Sequence, residues 1–138
     1  MTNFIKKKTL LILTAGSILM FSCNKKSSTA TDTLKPVITV AEPIANDTTS
    51  LTLEPEVHIE FTVTDDAGLH HLSVLLIKNN SDTIMNETPS VLDLKVYSFH
   101  EHYMPIGISS LTGLKVIIKA DDHSGNTETK VIDFYVEP

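Results

Sequence analysis

Two histidines separated by one residue, His100 and His102, have a type and spacing that would allow metal binding. If they lie on a β-strand, both imidazoles point to the same face, because side chains two apart on a strand share a face. This spacing lets two imidazoles bind one Zn or Cu ion if a third ligand, such as His58 or Glu101, comes close. Glu101 itself faces the other way on a regular strand. The alternative is a polar sheet face or loop with solvated histidines.

Two acidic segments of similar sequence form a second candidate site, Thr-Asp-Asp-Ala-Gly at 64–68 and Ala-Asp-Asp-His-Ser-Gly at 120–125. Four aspartates in two loops offer oxygen ligands to Ca²⁺, which takes about six to eight of them. The alternative is structural, because an aspartate before a glycine usually stabilises a turn. The second segment also lacks the acid spacing and the closing glutamate of an EF-hand loop. The residues of this acidic pole are Asp65, Asp66, Asp121, Asp122 and His123, with His70 near them.

The composition and the motifs argue against two classes of function. The sequence contains no Gly-x-Ser-x-Gly, no His-Glu-x-x-His and no Gly-x-x-x-x-Gly-Lys-Ser/Thr. Its aspartate pairs suggest a glycosidase, which needs two carboxylates across a cleft, but a sandwich of about 100 residues has little room for one beside its core. The chain has a formal net charge of -6 and no arginine, which disfavours a nucleic-acid partner. We therefore predict a protein that is not an enzyme.

The elements that position these residues follow from an alternation of apolar and polar residues with a period of two. Turn residues separate the alternating segments, and no stretch after residue 36 has convincing helical periodicity. The pattern predicts an all-β, immunoglobulin-like antiparallel β-sandwich of about seven strands in a single domain, residues 36–138. The clearest predicted strands are 37–40, 57–63, 69–78, 91–99, 114–120 and 132–136, with turns at 65–68, 79–82 and 122–126.

The immunoglobulin strand order separates the two candidate sites. In that order the two acidic turns are the B–C and F–G connections, which lie at the same end of the sandwich. We therefore expect the aspartates of both turns to lie near one another. The opposite end then carries residues 99–103 together with His58, at the start of the second strand.

Residues 1–22 have the organisation of a signal peptide, with Lys6, Lys7 and Lys8 before an apolar stretch. That stretch is about a dozen residues long, too short for a helix that spans a bilayer of about 30 Å. Cys23 is the chain's single cysteine and directly follows Ser22. This order resembles the lipobox of bacterial lipoproteins, which implies cleavage before Cys23 and a diacylglycerol on its thiol. The alternative is an ordinary secreted protein with a stray cysteine.

Residues 23–35 are polar and rich in serine and threonine, which predicts a flexible tether between the lipid and the domain. We therefore expect a cell-envelope protein whose membrane contact is the lipid on Cys23. The expected membrane is the outer membrane. Lys25 and Lys26 lie where lipoproteins exported to the cell surface often carry acidic residues, so the periplasmic and the surface face both stay open.

Three segments resemble the lipoprotein family known as domain of unknown function family 4625: Ile59 to Leu69, Ser98 to His102 and Leu114 to Asn126. The resemblance covers most of residues 36–138. It implies a lipid-anchored, immunoglobulin-like domain of Bacteroidota envelopes, and it brings no known activity with it.

Three Asp-Thr triplets resemble the O-glycosylation motif that Bacteroidota use on exported proteins. They make Thr33, Thr48 and Thr83 candidate acceptors, in the tether and in predicted loops. The alternative is a chance recurrence of a short motif.

The sequence as a whole predicts a lipid-anchored binding or accessory module of the envelope without catalytic activity, with an envelope protein or receptor as its partner. The rival hypothesis is a metal-binding lipoprotein that uses His100 and His102 to hold Zn or Cu and assists metal handling or uptake.

Overall fold

The computed structural model describes residues 31–138, so the predicted signal peptide and the candidate lipidation site Cys23 lie outside the described residues. Within this part of the chain all regular structure is β-strand, and no helix has the length and apolarity needed to cross a membrane. In chain order the strands are β1 Val37–Glu42, β2 Thr48–Ser50, β3 Val57–Thr64, β4 Leu69–Lys78, β5 Asp82–Glu87, β6 Val96–Tyr103, β7 Thr112–Asp122 and β8 Thr127–Glu137.

The first sheet has three antiparallel strands in the order β1-β3-β6. Along β3 every second residue is buried, and the residues between them are half-buried or exposed. This alternation matches the prediction and makes one face of the sheet apolar. Strand β6 pairs with β3 from Thr64 opposite Val96 to Val57 opposite Tyr103.

The second sheet has five strands in the order β2-β8-β7-β4-β5. Strand β2 runs parallel to β8, and the other neighbours are antiparallel. The two long strands β4 and β7 contribute buried apolar side chains to the inward face of this sheet. Among them are Leu72, Val74 and Leu76 of β4, and Leu114, Val116 and Ile118 of β7.

The apolar faces of the two sheets form one hydrophobic core. Phe61 of β3 and Phe99 of β6 lie opposite each other and stack with their ring centroids 5.0 Å apart. Such an aromatic pair contributes about 0.5–1.5 kcal/mol beyond the burial of its area. A slip of one residue between β3 and β6 would turn the buried side chains outward, so the core determines the register of these strands.

The prediction of an all-β sandwich is confirmed, with eight strands where about seven were expected. The predicted antiparallel arrangement holds for every strand pair except β2 with β8, which is parallel. The prediction of a strand at 91–99 was wrong at its start. Val91 is buried, but the chain turns after it: Asp93 has a positive φ of 64°, and the Leu94 N–H donates to the Val91 carbonyl at 2.9 Å. Strand β6 therefore begins only at Val96.

Two strands, β2 and β5, were not predicted. Strand β2 has three residues, and β5 is a mostly exposed edge strand whose Ile84 and Met85 are half-buried. Both strands join the sheet by backbone pairing to one neighbour. Because neither strand has a fully buried face, its sequence shows little alternation of apolar and polar residues.

The two ends of the sandwich carry different side chains. The β3–β4 turn and the β7–β8 turn lie at one end, where the carboxylates of Asp65 and Asp122 are close together. The start of β3 and the end of β6 lie at the other end, where His58 is opposite His102.

Candidate metal centre

Three histidines meet on the outward face of the three-stranded sheet. His58 of β3 lies directly opposite His102 of β6 in the antiparallel register. His100 lies two residues before His102 and therefore on the same face. One ligating nitrogen of each imidazole lies within 4.8 Å of those of the other two. The structure thus brings together the three residues that the sequence suggests as histidine ligands.

The imidazole rings are close enough for one ion to reach them. The ring centroids of His58 and His102 are 4.1 Å apart, and those of His100 and His102 are 4.8 Å apart. The Nε2 atoms of His100 and His102 are separated by 3.0 Å. Two nitrogens bound to a tetrahedral zinc ion at about 2.0–2.1 Å are roughly 3.3 Å apart, so this pair needs only a small movement to share an ion.

Two glutamates before β3 contact the histidine cluster, and sequence reasoning missed both. Glu56 Oε2 lies 2.8 Å from Nδ1 of His102, and Glu54 Oε1 lies 3.3 Å from Nε2 of His58. Carboxylates either bind an ion directly or orient the imidazoles that bind it. The sequence feature that could have pointed to these glutamates is the Glu-Pro-Glu segment at 54–56, which ends just before β3 and two residues before His58.

Glu101 is not among the residues of this cluster. It lies opposite the buried Ile59 and so on the other face of β6, as strand alternation predicts. Glu101 helps to line a cavity of about 380 Å³ between β5 and β6, together with His102 and Tyr103.

The cluster is open to solvent and has carboxylates around it. The exposed fraction is 34% for the His58 side chain and 45% for that of His102. A cavity of about 300 Å³ adjoins His58, and its lining includes Glu42, Glu54 and Glu56. Carboxylates around a concave surface raise the local concentration of cations. The electrostatics of this end of the domain therefore favour a cationic ligand.

At the opposite end, Asp65 and Asp122 are buried, and their carboxylates lie within 4.8 Å of each other and of Asp32. Asp65 Oδ1 accepts hydrogen bonds from the backbone N–H groups of Ala67 at 3.0 Å and Gly68 at 2.8 Å. Gly68 has a φ of +106°, which only glycine adopts readily. Asp65 therefore holds the β3–β4 turn.

Asp122 has the same role in the β7–β8 turn. Its Oδ1 accepts the backbone N–H of Asn126 at 2.8 Å, and its Oδ2 accepts the side-chain amide of Asn126 at 2.6 Å. Burial raises the pKa of Asp122, but these bonds and the backbone N–H groups of Ser124 and Gly125 lower that pKa below the ordinary value. The protein's own donors thus stabilise the carboxylate, which supports the structural interpretation of this pole.

The other predicted members of the acidic pole have separate partners. Asp66 is exposed, and Asp121 accepts a hydrogen bond from the threonine hydroxyl at the start of β8 at 2.6 Å. His123 Nε2 lies 2.8 Å from a carboxylate oxygen of Asp93, and its ring centroid is 4.9 Å from that of His70. These side chains belong to the same end of the sandwich but not to the carboxylate group formed with Asp32.

Asp32 comes from the predicted tether, and no feature of the sequence predicted that its carboxylate would lie beside those of Asp65 and Asp122. The Asn126 side-chain amide donates to its backbone carbonyl at 3.1 Å, and Lys35 lies 3.6 Å from Glu128. The last residues of the predicted tether therefore lie against the domain.

The three candidate glycosylation residues, Thr33, Thr48 and Thr83, are exposed. Their predicted location in the tether and loops was wrong for two of them, because Thr48 is in β2 and Thr83 is in β5. Both strands lie at the edges of the second sheet, which explains why their threonines remain exposed.

No protein-family model and no curated protein matches this sequence. Among solved structures, the chain is similar to an engineered protein, a Northeast Structural Genomics Consortium target whose crystal structure was determined at 1.98 Å. The TM-score is 0.52 at 12% sequence identity, over 75% of this chain and 20% of that chain. The chain spans about a fifth of the length of that structure, and the likeness concerns the fold alone.

Proposed function

We propose that this chain is a lipid-anchored binding module of the bacterial cell envelope, without catalytic activity, that binds a transition-metal ion through His58, His100 and His102. The observation that supports metal binding is the convergence of three imidazoles from two paired strands, with ligating nitrogens within 4.8 Å of one another. Three protein ligands leave a further coordination position for water or for a ligand from a partner.

The donor set favours Zn or Cu. Imidazole nitrogens suit both ions, whereas Ca²⁺ and Mg²⁺ prefer sites made of oxygen ligands. For a given set of nitrogen ligands, Cu²⁺ usually binds more tightly than Zn²⁺. We therefore expect Cu²⁺ to have the higher affinity in solution. Availability in the envelope would decide which ion is bound in the cell.

The envelope location is the part of the proposal that comes from the sequence alone. The basic and apolar residues before Cys23 support export and lipidation, and the resemblance to domain of unknown function family 4625 supports a Bacteroidota envelope. The domain would then be held at the outer membrane, on its periplasmic or its surface face. An envelope protein such as an uptake receptor is the proposed partner, to which a bound ion would be passed.

Thermal unfolding of residues 24–138 without an affinity tag tests the metal-binding part. The protein is stripped of metal and then titrated with Zn²⁺, Cu²⁺, Ni²⁺ and Ca²⁺. An ion that binds the folded state contributes about 2.7 kcal/mol to stability at a hundredfold excess over its Kd. We expect Zn²⁺ and Cu²⁺ to raise the unfolding midpoint and Ca²⁺ to leave it unchanged.

Two double variants locate the effect. The His100→Ala/His102→Ala variant is expected to lose the stabilisation by Zn²⁺ and Cu²⁺. The matched control is His70→Ala/His123→Ala, which removes two neighbouring imidazoles at the other end of the domain and is expected to keep it. If no ion raises the midpoint of the wild-type chain, the metal-binding part of the proposal is wrong.

A further inference from the structure

Glu56 contacts the histidine cluster but is not one of the three residues proposed to bind the ion. It directly precedes β3 and is 46 residues from His102 in the chain, but the pairing of β3 with β6 brings the two together. The distance between Glu56 Oε2 and His102 Nδ1 is 2.8 Å. This is the distance of a charge-assisted hydrogen bond.

That hydrogen bond selects one tautomer of His102. A carboxylate only accepts hydrogen bonds, so the Nδ1 atom of His102 must carry the proton. In the neutral ring, the lone pair is then on Nε2, the atom that lies 3.0 Å from Nε2 of His100. Glu56 therefore aims the metal-binding lone pair of His102 at its neighbour in the cluster.

His100 differs from His102 in this respect. With the lone pair of His102 on Nε2, the short contact between the two Nε2 atoms requires His100 to donate its Nε2 proton when no ion is present. To bind an ion through Nε2, His100 must move that proton to Nδ1 or release it. Of these two ligands, His102 is the one already prepared for the ion.

We propose that Glu56 is a positioning residue of the metal centre, an outer carboxylate that holds His102 with Nε2 free to bind Zn or Cu. This inference rests on the proposed metal-binding function. Outer partners of this kind orient the ring and raise its basicity, and their loss typically weakens metal affinity by about 10- to 100-fold.

The effect on affinity is separable from an effect on folding. The side chains of Glu56 and His102 are 36% and 45% exposed, and polar contacts between such exposed side chains contribute little to stability. We therefore expect Glu56→Ala to shift the unfolding midpoint of the metal-free protein by less than about 5 °C.

The experiment measures the affinity of residues 24–138 for Zn²⁺ by competition with a chelator, in the wild-type chain and in three variants. Glu56→Ala is expected to weaken binding by about 10- to 100-fold. Glu56→Gln keeps an acceptor oxygen for the His102 proton, so its loss is expected to be smaller. Glu60→Gln is the control: Glu60 lies opposite His100 and its loss removes the same charge beside the cluster, but it makes none of the cluster's hydrogen bonds.

The ¹⁵N chemical shifts of the His102 ring give a second readout that a purely structural role would not move. For the neutral ring in the metal-free wild type, we expect the tautomer with its proton on Nδ1, and in Glu56→Ala a mixture of the two tautomers. The inference is overturned if the wild-type chain binds Zn²⁺ and Glu56→Ala binds it equally well, or if Glu60→Gln weakens binding as much as Glu56→Ala. If the wild-type chain binds no Zn²⁺ or Cu²⁺, the proposed function fails, and this inference fails with it.

Discussion

His58 and His102 lie directly opposite each other on the antiparallel strands β3 and β6, with their ring centroids 4.1 Å apart. Backbone pairing of the two strands places the Cβ atoms of such a cross-strand pair about 4.5–5.5 Å apart. The sheet thus keeps the two imidazoles within reach of each other. The proposed metal centre, built on strands in this way, would need little rearrangement to bind an ion.

The contribution of His58 to metal binding can be measured by removing its side chain. We expect His58→Ala to weaken the affinity for Zn²⁺ at least as much as the loss of an outer partner does, by about 10- to 100-fold or more, because a direct ligand disappears. Competition with a chelator measures the affinity. His70→Ala is the control, since His70 is an exposed histidine of the other sheet. Equal affinities for wild type and His58→Ala would remove His58 from the site.

The stacking of Phe61 on Phe99 allows a test of how the core packs between β3 and β6. We expect Phe61→Ala to lower the free energy of unfolding by about 3–5 kcal/mol, because it leaves a cavity where Phe61 packs on Phe99. Urea unfolding measures this change. Val131→Ala shortens a side chain that is 50% exposed on β8, and it is expected to change the free energy by less than about 0.5 kcal/mol. A similar loss in both variants would contradict the packing described for β3 and β6.

The lowered pKa of Asp122 predicts how stability depends on pH. The folded carboxylate holds its proton less tightly than the unfolded one, so the unfolded state binds more protons as the pH approaches 4 from above. The stabilisation is therefore complete above roughly pH 4 and is lost as the pH falls through the folded pKa. We expect Asp122→Asn to have a flatter pH dependence between about pH 5 and pH 2.

Urea unfolding at closely spaced pH values tests this prediction. The control is Asp66→Asn, which removes an exposed carboxylate from the turn at the same end of the domain. If Asp122→Asn and wild type lose stability in parallel as the pH falls, the hydrogen bonds from Asn126 do not stabilise the carboxylate as described.

The proposed lipidation at Cys23 predicts that the protein leaves the membrane when this thiol is removed. We expect Cys23→Ser to abolish incorporation of labelled fatty acid and to release the exported chain from the membrane fraction, because the thiol proposed to accept the lipid is gone. Fractionation of cells that express each form measures this. Ser22→Ala, which keeps a small residue before the cysteine, serves as the control and is expected to remain membrane-bound. Membrane retention of Cys23→Ser would show that another segment anchors the protein.

The strands with one face in the core were predictable, and the strands without one were not. Val57 to Val63 alternates as the burial of β3 requires, because every second side chain must enter the core. Strand β5 joins the sheet through its backbone and leaves its ends exposed, so its sequence carries little of this pattern. The start of β6 was misplaced because Val91 is buried from within a turn.

The sequence by itself determined the class of fold and the shared face of His100 and His102, since both follow from the two-residue period of a strand. Only the tertiary structure decided that His58 would stand opposite His102 and that Glu56 would reach its Nδ1 atom. Those contacts depend on the register of β3 against β6, and the packing of the core sets that register over residues some 40 positions apart. The local alternation of residues specifies which face of the sheet a side chain occupies, whereas the packing of the whole core determines which residue lies opposite it.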